Sequence, residues 1–262
     1  MLKKILCTVG AIIAGTSIAA CDTNQSHTND TNTVNSNISI TDENIEILEN
    51  ENYRFEKSDN GINLIEYIGS ERDVIIPDFI DDAYVTSIDA RCFSNSENKD
   101  IINSVTLSSY INDISPLAFY NSKSLQIINC LSNDNFISEN GILYTSDMEY
   151  LVAYPENKAD IEYIMPDTVK KIYNNAFSFC DNLKILKLSE ALEAIPDYAF
   201  AYNSSISEVI VSENVKNIGF AAFCHCPNLS KLVLPHKNIE MNDKAIIYCD
   251  NLKNIEYVKQ SK

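Results

Sequence analysis

The chain has 262 residues, 45% of them hydrophobic, with 37 acidic against 20 basic side chains and a formal charge of −17. That apolar fraction is ordinary for a globular protein and supports a sizeable core. The acidity argues against nucleic acid as a partner, because a surface of this sign repels phosphates, and the 6 glycines are too few for an enzyme built on phosphate-cradling loops.

In chain order, Met1-Leu-Lys-Lys is a short positive segment, followed by an apolar run from Ile5 to about Ala14 and then Ile18-Ala19-Ala20-Cys21. The run is too short to span a bilayer, and no later stretch reaches the roughly 20 residues that a transmembrane helix needs. Ile-Ala-Ala-Cys resembles the bacterial lipobox. That resemblance implies a lipoprotein signal peptide over 1–20, cleavage before Cys21 and a diacylglycerol on its sulfur. The chain is then exported and held to a bacterial membrane through lipid, with the cell surface as its expected place. Residues 21–50 are dominated by Asn, Thr, Ser and Asp, with only weak apolar spots near Ile45 and Leu48. Such a stretch cannot bury enough apolar surface to offset its ordering entropy, so a disordered polar tether is expected there.

From 51 to 262 the pattern changes. Tyr53–Phe55 and Asn63–Ile68 flank Asp59-Asn60-Gly61, which predicts a hairpin covering the edge of whatever follows. Then Ile172-x-x-x-Ala176-Phe177, Ile195-x-x-x-Ala199-Phe200 and Ile218-x-x-x-Ala222-Phe223 recur every 23 residues, and Met241-x-x-x-Ala245-Ile246 keeps the phase. Three residues after each Phe come Cys180, Asn203, Cys226 and, after Ile246, Cys249. Nine and eleven residues after it stand Leu186 and Leu188, Val209 and Val211, Leu232 and Leu234, Ile255 and Tyr257, which by their spacing share one face of a short strand. Ile114-x-x-x-Ala118-Phe119 and Ile88 with Phe93 are earlier copies. A single turn cannot bury enough apolar area to fold alone, whereas stacked turns cover one another's open faces. Over 131–164 the period is interrupted by strand-like Phe136–Tyr144, turning at Asn140-Gly141, and Tyr150–Pro155, which predict a β-hairpin insertion.

The run Tyr67-Ile-Gly-Ser-Glu-Arg-Asp-Val-Ile-Ile-Pro77, the Ala-Phe-x-x-Cys-x-x-Leu turns and the inserted Asn-Gly-Ile-Leu-Tyr…Leu-Val-Ala-Tyr-Pro unit resemble BspA-like (treponemal-type) leucine-rich repeat proteins over about residues 63–258. The resemblance implies a bacterial surface solenoid that binds proteins and carries no catalytic residues. The expected fold is a leucine-rich repeat solenoid of roughly 23-residue turns. Each turn would be a β-strand plus a short helical turn, with a β-hairpin N-terminal cap and one hairpin insertion.

Of eight cysteines, Cys7 leaves with the leader and Cys21 carries lipid. The remaining six are expected as reduced thiols, those of the +3 column filling an inward position as small apolar side chains. Cys224-His225-Cys226 with His236 looks metal-like, but the spacing fits no standard zinc pattern, and sister turns place Cys224 and His225 on a rim. No metal and no cofactor is expected. Nor is an enzyme: histidines occur only at 27, 225 and 236, and no GxSxG, HExxH or P-loop occurs. What remains is surface. The repeat phase points Ile127, Ile185, Ile210 and Val233 outward from the strands, with Lys187 and Lys231 beside them. This is the candidate protein-binding face, although branched residues also suit strands for β-propensity alone. The expected function is non-catalytic adhesion to a host matrix or neighbouring-cell protein. The alternative is an envelope or periplasmic scaffold for a partner of the same cell, and Asp22 directly after Cys21 favours retention at an inner membrane if the cell has two membranes and enterobacterial-type sorting.

Overall fold

The computed structural model describes residues 46–94 and 100–258, together with the backbone strand Lys3–Ile5, which pairs antiparallel with Ile47–Glu49. Cys21 and the stretch up to residue 45 lie outside the described residues. The folded unit nevertheless begins earlier than its composition suggests. Ile47–Glu49, inside the segment read as tether, is a strand paired antiparallel with Tyr53–Ser58. Tyr53–Ser58 in turn forms a hairpin with Gly61–Tyr67. Alternation explains the pairing: Tyr53, Phe55, Ile62, Leu64 and Tyr67 are buried while their neighbours face solvent. Gly61–Tyr67 lies parallel to Ala83–Ile88, so the hairpin closes one end of the stack.

The rest is a stack of coils whose strands line up into two sheet walls. One wall consists of Asp73–Ile75, Ser104–Leu107 and Ile127–Cys130, then, after the insertion, Glu162–Ile164, Ile185–Lys187, Glu208–Ile210, Lys231–Leu234 and Ile255–Tyr257. The first three of these strands form one parallel sheet and the last five another, and within each sheet the residues lie beside their equivalents in the next coil, as Leu186 lies beside Val209 and Val209 beside Leu232. The second wall holds short strands such as Ala194–Ile195, Asn217–Ile218 and Glu240–Met241. The Phe column fills the interior. Phe177, Phe200 and Phe223 are fully buried, their ring centroids 5.3 Å apart from coil to coil.

The expected helical turn is absent: among the described residues there is no helix. Its place is taken by turns whose hydrogen bonds alternate between local and cross-coil partners. Ala199 and Ala201 donate locally to Pro196 and Tyr198, while Phe200 and Tyr202 donate to Ala222 and Cys224 of the next coil. A helix needs each N–H for its own carbonyl four residues back, and half of these are committed along the stack. In three successive coils two residues adopt left-handed backbone, Asn175 and Phe179, Tyr198 and Tyr202, and Ala221 and His225, with φ between 52° and 62°. That conformation costs an L-residue about 1–2 kcal/mol, and it is what aims alternate N–H groups along the stack.

The insertion lies inside the stack rather than on its surface. Phe136–Glu139 and Ile142–Thr145 form an antiparallel hairpin, and Tyr150–Ala153 continues it before pairing parallel with Lys171–Ile172. Ile142, Tyr144, Leu151 and Tyr154 pack into the C-terminal half of the core, while Phe136, Leu143, Val152 and Ala153 pack into the N-terminal half. A strand buried on both faces therefore joins the two runs of coils. Tyr154, 23 residues before Phe177, occupies the Phe column with its ring 5.0 Å from that of Phe177, so Ala153-Tyr154 stands where other coils have Ala-Phe.

Candidate functional site

In-register parallel pairing turns repeat positions into rows across the five-stranded sheet that starts at Glu162–Ile164. One outward row reads Glu162, Ile185, Glu208, Lys231; the next reads Ile164, Lys187, Ile210, Val233, Glu256. Ile185, Lys187, Ile210, Lys231 and Val233 thus share one face. Ile210 and Val233 are direct neighbours, with Lys187 on one side and Glu256 on the other. Lys187 is exposed, and the others of the five are half-buried by their neighbours in the sheet. Lys231 donates to Glu208, its neighbour across the strands, at 2.6 Å, and that bond raises the lysine's pKa.

Ile127 lies elsewhere. It belongs to the three-stranded sheet, in a row with Ser104 and Asp73. The inserted hairpin separates it from Ile185. Gly141 packs against it so closely that an added Cβ would meet Ile127 at 3.3 Å, and the Ile128 N–H donates to the Gly141 carbonyl. At the other end the hairpin is tied to Tyr163 by a Tyr144–Tyr163 hydroxyl bond of 2.6 Å. Repeat arithmetic runs straight across this gap, whereas the chain does not.

The arithmetic also misses Ile164, which is 62% exposed at the head of the Lys187–Ile210–Val233 row. It falls in the interrupted stretch, outside the aligned columns. Its signal is Tyr163-x-Met165, the strand pattern that resumes the period. A second exposed group, Phe79, Tyr84 and Tyr110, forms a cluster with ring centroids 4.2–5.6 Å apart, assembled by the Phe79–Ile80/Ala83–Ile88 hairpin and the following coil. Where the hairpin cap meets the next strands lies a polar cleft of about 580 Å³, lined among others by Asn60, Asn63, Thr86, Ser87, Asp89 and Asp113.

The metal-like residues do not converge. Cys224 is fully buried against Ala201 and Ala221, not on the rim where its sister positions suggest. His225 is stacked between Tyr202 and Tyr248, centroids 5.1 and 4.4 Å away, in an outer ladder that begins with Phe179. Among the described residues no group of three or more His, Cys, Asp or Glu could hold a metal ion. The +3 column is likewise more than a place for small apolar groups. Asn203 Nδ2 donates to the Phe177 carbonyl of the preceding coil at 2.8 Å, Cys226 Sγ to that of Phe200 at 3.2 Å and Cys249 Sγ to that of Phe223 at 2.8 Å. In these three coils the column carries a donor to the preceding coil, and the alternation of Asn with Cys was the signal.

These coils agree with what comparison finds. The BspA type leucine rich repeat region matches in six copies over residues 74–163 and 152–262, and the chain belongs to this family. No curated protein sequence matches it. Among solved structures, a leucine-rich repeat protein from Eubacterium ventriosum superposes with a TM-score of 0.52 at 21% identity, covering 70% of this chain and 54% of that one. The chain therefore spans about half the length of that relative. The pneumococcal vaccine antigen PcpA superposes with the same TM-score at 16% identity, covering 80% of this chain and 81% of that chain. At these identities the likeness shows the fold alone. Repeats of this kind generally serve as protein-binding scaffolds.

Proposed function

We propose that the protein is a non-catalytic adhesin-like lipoprotein, held through Cys21 to a bacterial membrane and recognising a protein of the host matrix or of a neighbouring cell. The observation that carries the recognition is the row Ile164, Ile210 and Val233 with Ile185 beside it. These are branched apolar side chains outward on a rigid hydrogen-bonded sheet, bordered by Lys187, Glu256 and the Lys231–Glu208 pair. A flat apolar centre with a charged rim is the make-up of a protein-recognition surface, and a rigid sheet loses little entropy on binding. The lipobox-like Ile18-Ala19-Ala20-Cys21 supports the anchor. Binding of the full chain to immobilised host matrix proteins, compared with an Ile164→Ser/Val233→Ser variant, tests the reading. Binding that the variant reduces supports it, and binding that the variant leaves intact removes this face from consideration.

One residue favours a second reading. Asp22 follows Cys21 directly, and in a cell with two membranes and enterobacterial-type sorting that would retain the protein at the inner membrane as an envelope scaffold. Protease treatment of intact cells separates the two: degradation supports surface display, and protection supports the scaffold.

A further inference from the structure

Donors of the +3 column reach back by one coil, and this has a chemical effect where two thiols follow one another. Cys249 Sγ, donating to the Phe223 carbonyl at 2.8 Å, leans onto the coil that carries Cys226, which stands three residues past Phe223 in the same column. The backbones around them are stapled on either side, by Phe223 N–H to the Ala245 carbonyl at 2.9 Å and His225 N–H to that of Ile247 at 2.8 Å. Layers bonded in this way lie about 4.7–4.9 Å apart. That separation falls inside the roughly 4.4–6.8 Å between Cα atoms that a disulfide bridges. Asn203 holds the same column one coil earlier, so Cys226 meets no thiol in that direction within the column. Access is unequal: Cys249 is half-buried and Cys226 is fully buried.

We infer that Cys226 and Cys249 are a dithiol site that a low-molecular-weight disulfide oxidises to an intramolecular disulfide joining the last two described coils. The inference does not depend on the protein-binding reading. In the first step the Cys249 thiolate attacks one sulfur of the oxidant, forming a mixed disulfide and releasing one thiolate. In the second, Cys226 gives up its proton to that released thiolate, and its sulfur attacks Cys249 Sγ, expelling the second thiolate, which takes up the proton Cys249 had lost. Two protein thiols are oxidised, one disulfide is reduced to two thiols, and atoms and electrons balance. The environment sorts the roles. The neighbouring Cys226 thiol holds the Cys249 thiol below its ordinary value, and the partial exposure of Cys249 gives an oxidant access to it. The neighbouring Cys249 thiol, then burial, pushes Cys226 well up. Burial also raises Cys92, Cys130 and Cys180, which leaves them poor nucleophiles.

The test uses the folded full chain, reduced, freed of reductant and incubated with oxidised glutathione. Remaining thiols are blocked with iodoacetamide under denaturing conditions and the digest is read by mass spectrometry. The expected result is a cross-linked peptide pair through Cys226 and Cys249, lighter by two hydrogens. In Cys226→Ser, glutathione should stay on Cys249; in Cys249→Ser, Cys226 should remain unmodified. Iodoacetamide on both thiols of the wild type, or a cross-link to a different cysteine, overturns the inference. So does a Cys226→Ser protein whose Cys249 carries no glutathione.

Discussion

Glu156 shows how one residue repairs a break in a repeating structure. In the regular coils the residue two past the Phe column donates its N–H to the next coil, as Phe179 does to Ala201 and Tyr202 to Cys224. Asn121 holds that position beside Phe119, and its acceptor in the next coil, the one carrying Tyr154, is a side chain rather than a backbone carbonyl. The carboxylate of Glu156 accepts instead from the Asn121 N–H, with the Ser122 N–H as a second donor. Burial pushes its pKa from the ordinary 4.5 to about 8, against the smaller lowering effect of those donors. A carboxyl whose folded pKa is raised contributes stability below its unfolded value and loses it as pH rises through the folded one. Between about pH 4.5 and about pH 8 the wild type should therefore lose stability relative to Glu156→Gln, whose amide oxygen still accepts from Asn121. Melting curves of the two proteins across that window check this, and parallel pH dependences would contradict it. Asn203 offers a companion test. Asn203→Ala strands the buried Phe177 carbonyl and should cost about 1–3 kcal/mol, whereas Asn203→Cys restores a donor of the kind its sister coils use and should cost less. Equal destabilisation in chemical denaturation would mean that the column needs volume rather than a donor.

At the level of the element, the outward rows exist because parallel register is enforced on every strand by the inward columns. Leu186, Val209 and Leu232 are fully buried, and a one-residue slip would turn all of them outward. Ile185 and Ile210 lie between these anchors without entering the core, so their replacement should spare the fold. Ile185→Ser/Ile210→Ser is expected to keep the wild-type melting temperature and to weaken binding to the protein ligand at least tenfold, about 1.4 kcal/mol. Solid-phase binding with both proteins checks it, and full binding by the folded double variant would move the site to the Phe79–Tyr84–Tyr110 cluster. Ile127 is not part of this test, because the hairpin around Gly141 stands between it and the five-stranded sheet. The repeat period locates each strand, but only the path of the insertion decides which strands are neighbours. Even there one coil was readable: Tyr154 lies 23 residues before Phe177, concealed by the substitution of Tyr for Phe.

The whole molecule is an acidic rod with one end closed by the Tyr53–Tyr67 hairpin. Its charge of −17 becomes two units more negative if the leader with Lys3 and Lys4 is removed. Self-repulsion of that size keeps an elongated surface soluble and favours partners presenting positive patches. On the proposed anchoring, Cys21→Ser should leave the precursor unprocessed or release the protein into the aqueous phase of a detergent partition. A Cys21→Ser protein that partitions with detergent at unchanged mass would remove the lipid from the account.

The 23-residue period, the identity of the buried columns and the family follow from the sequence alone, because a solenoid repeats its environment and the same side-chain chemistry is demanded at every turn. Three features come only from the tertiary structure. The absence of a helix depends on where alternate N–H groups find carbonyls in the next coil, and no local propensity encodes that. The donor role of Asn203, Cys226 and Cys249 depends on a carbonyl one coil back, about 26 residues away in sequence. The composition of the exposed face depends on the hairpin that removes Ile127 and admits Ile164. Contacts between coils are long-range, and a period specifies that they recur without specifying what they join.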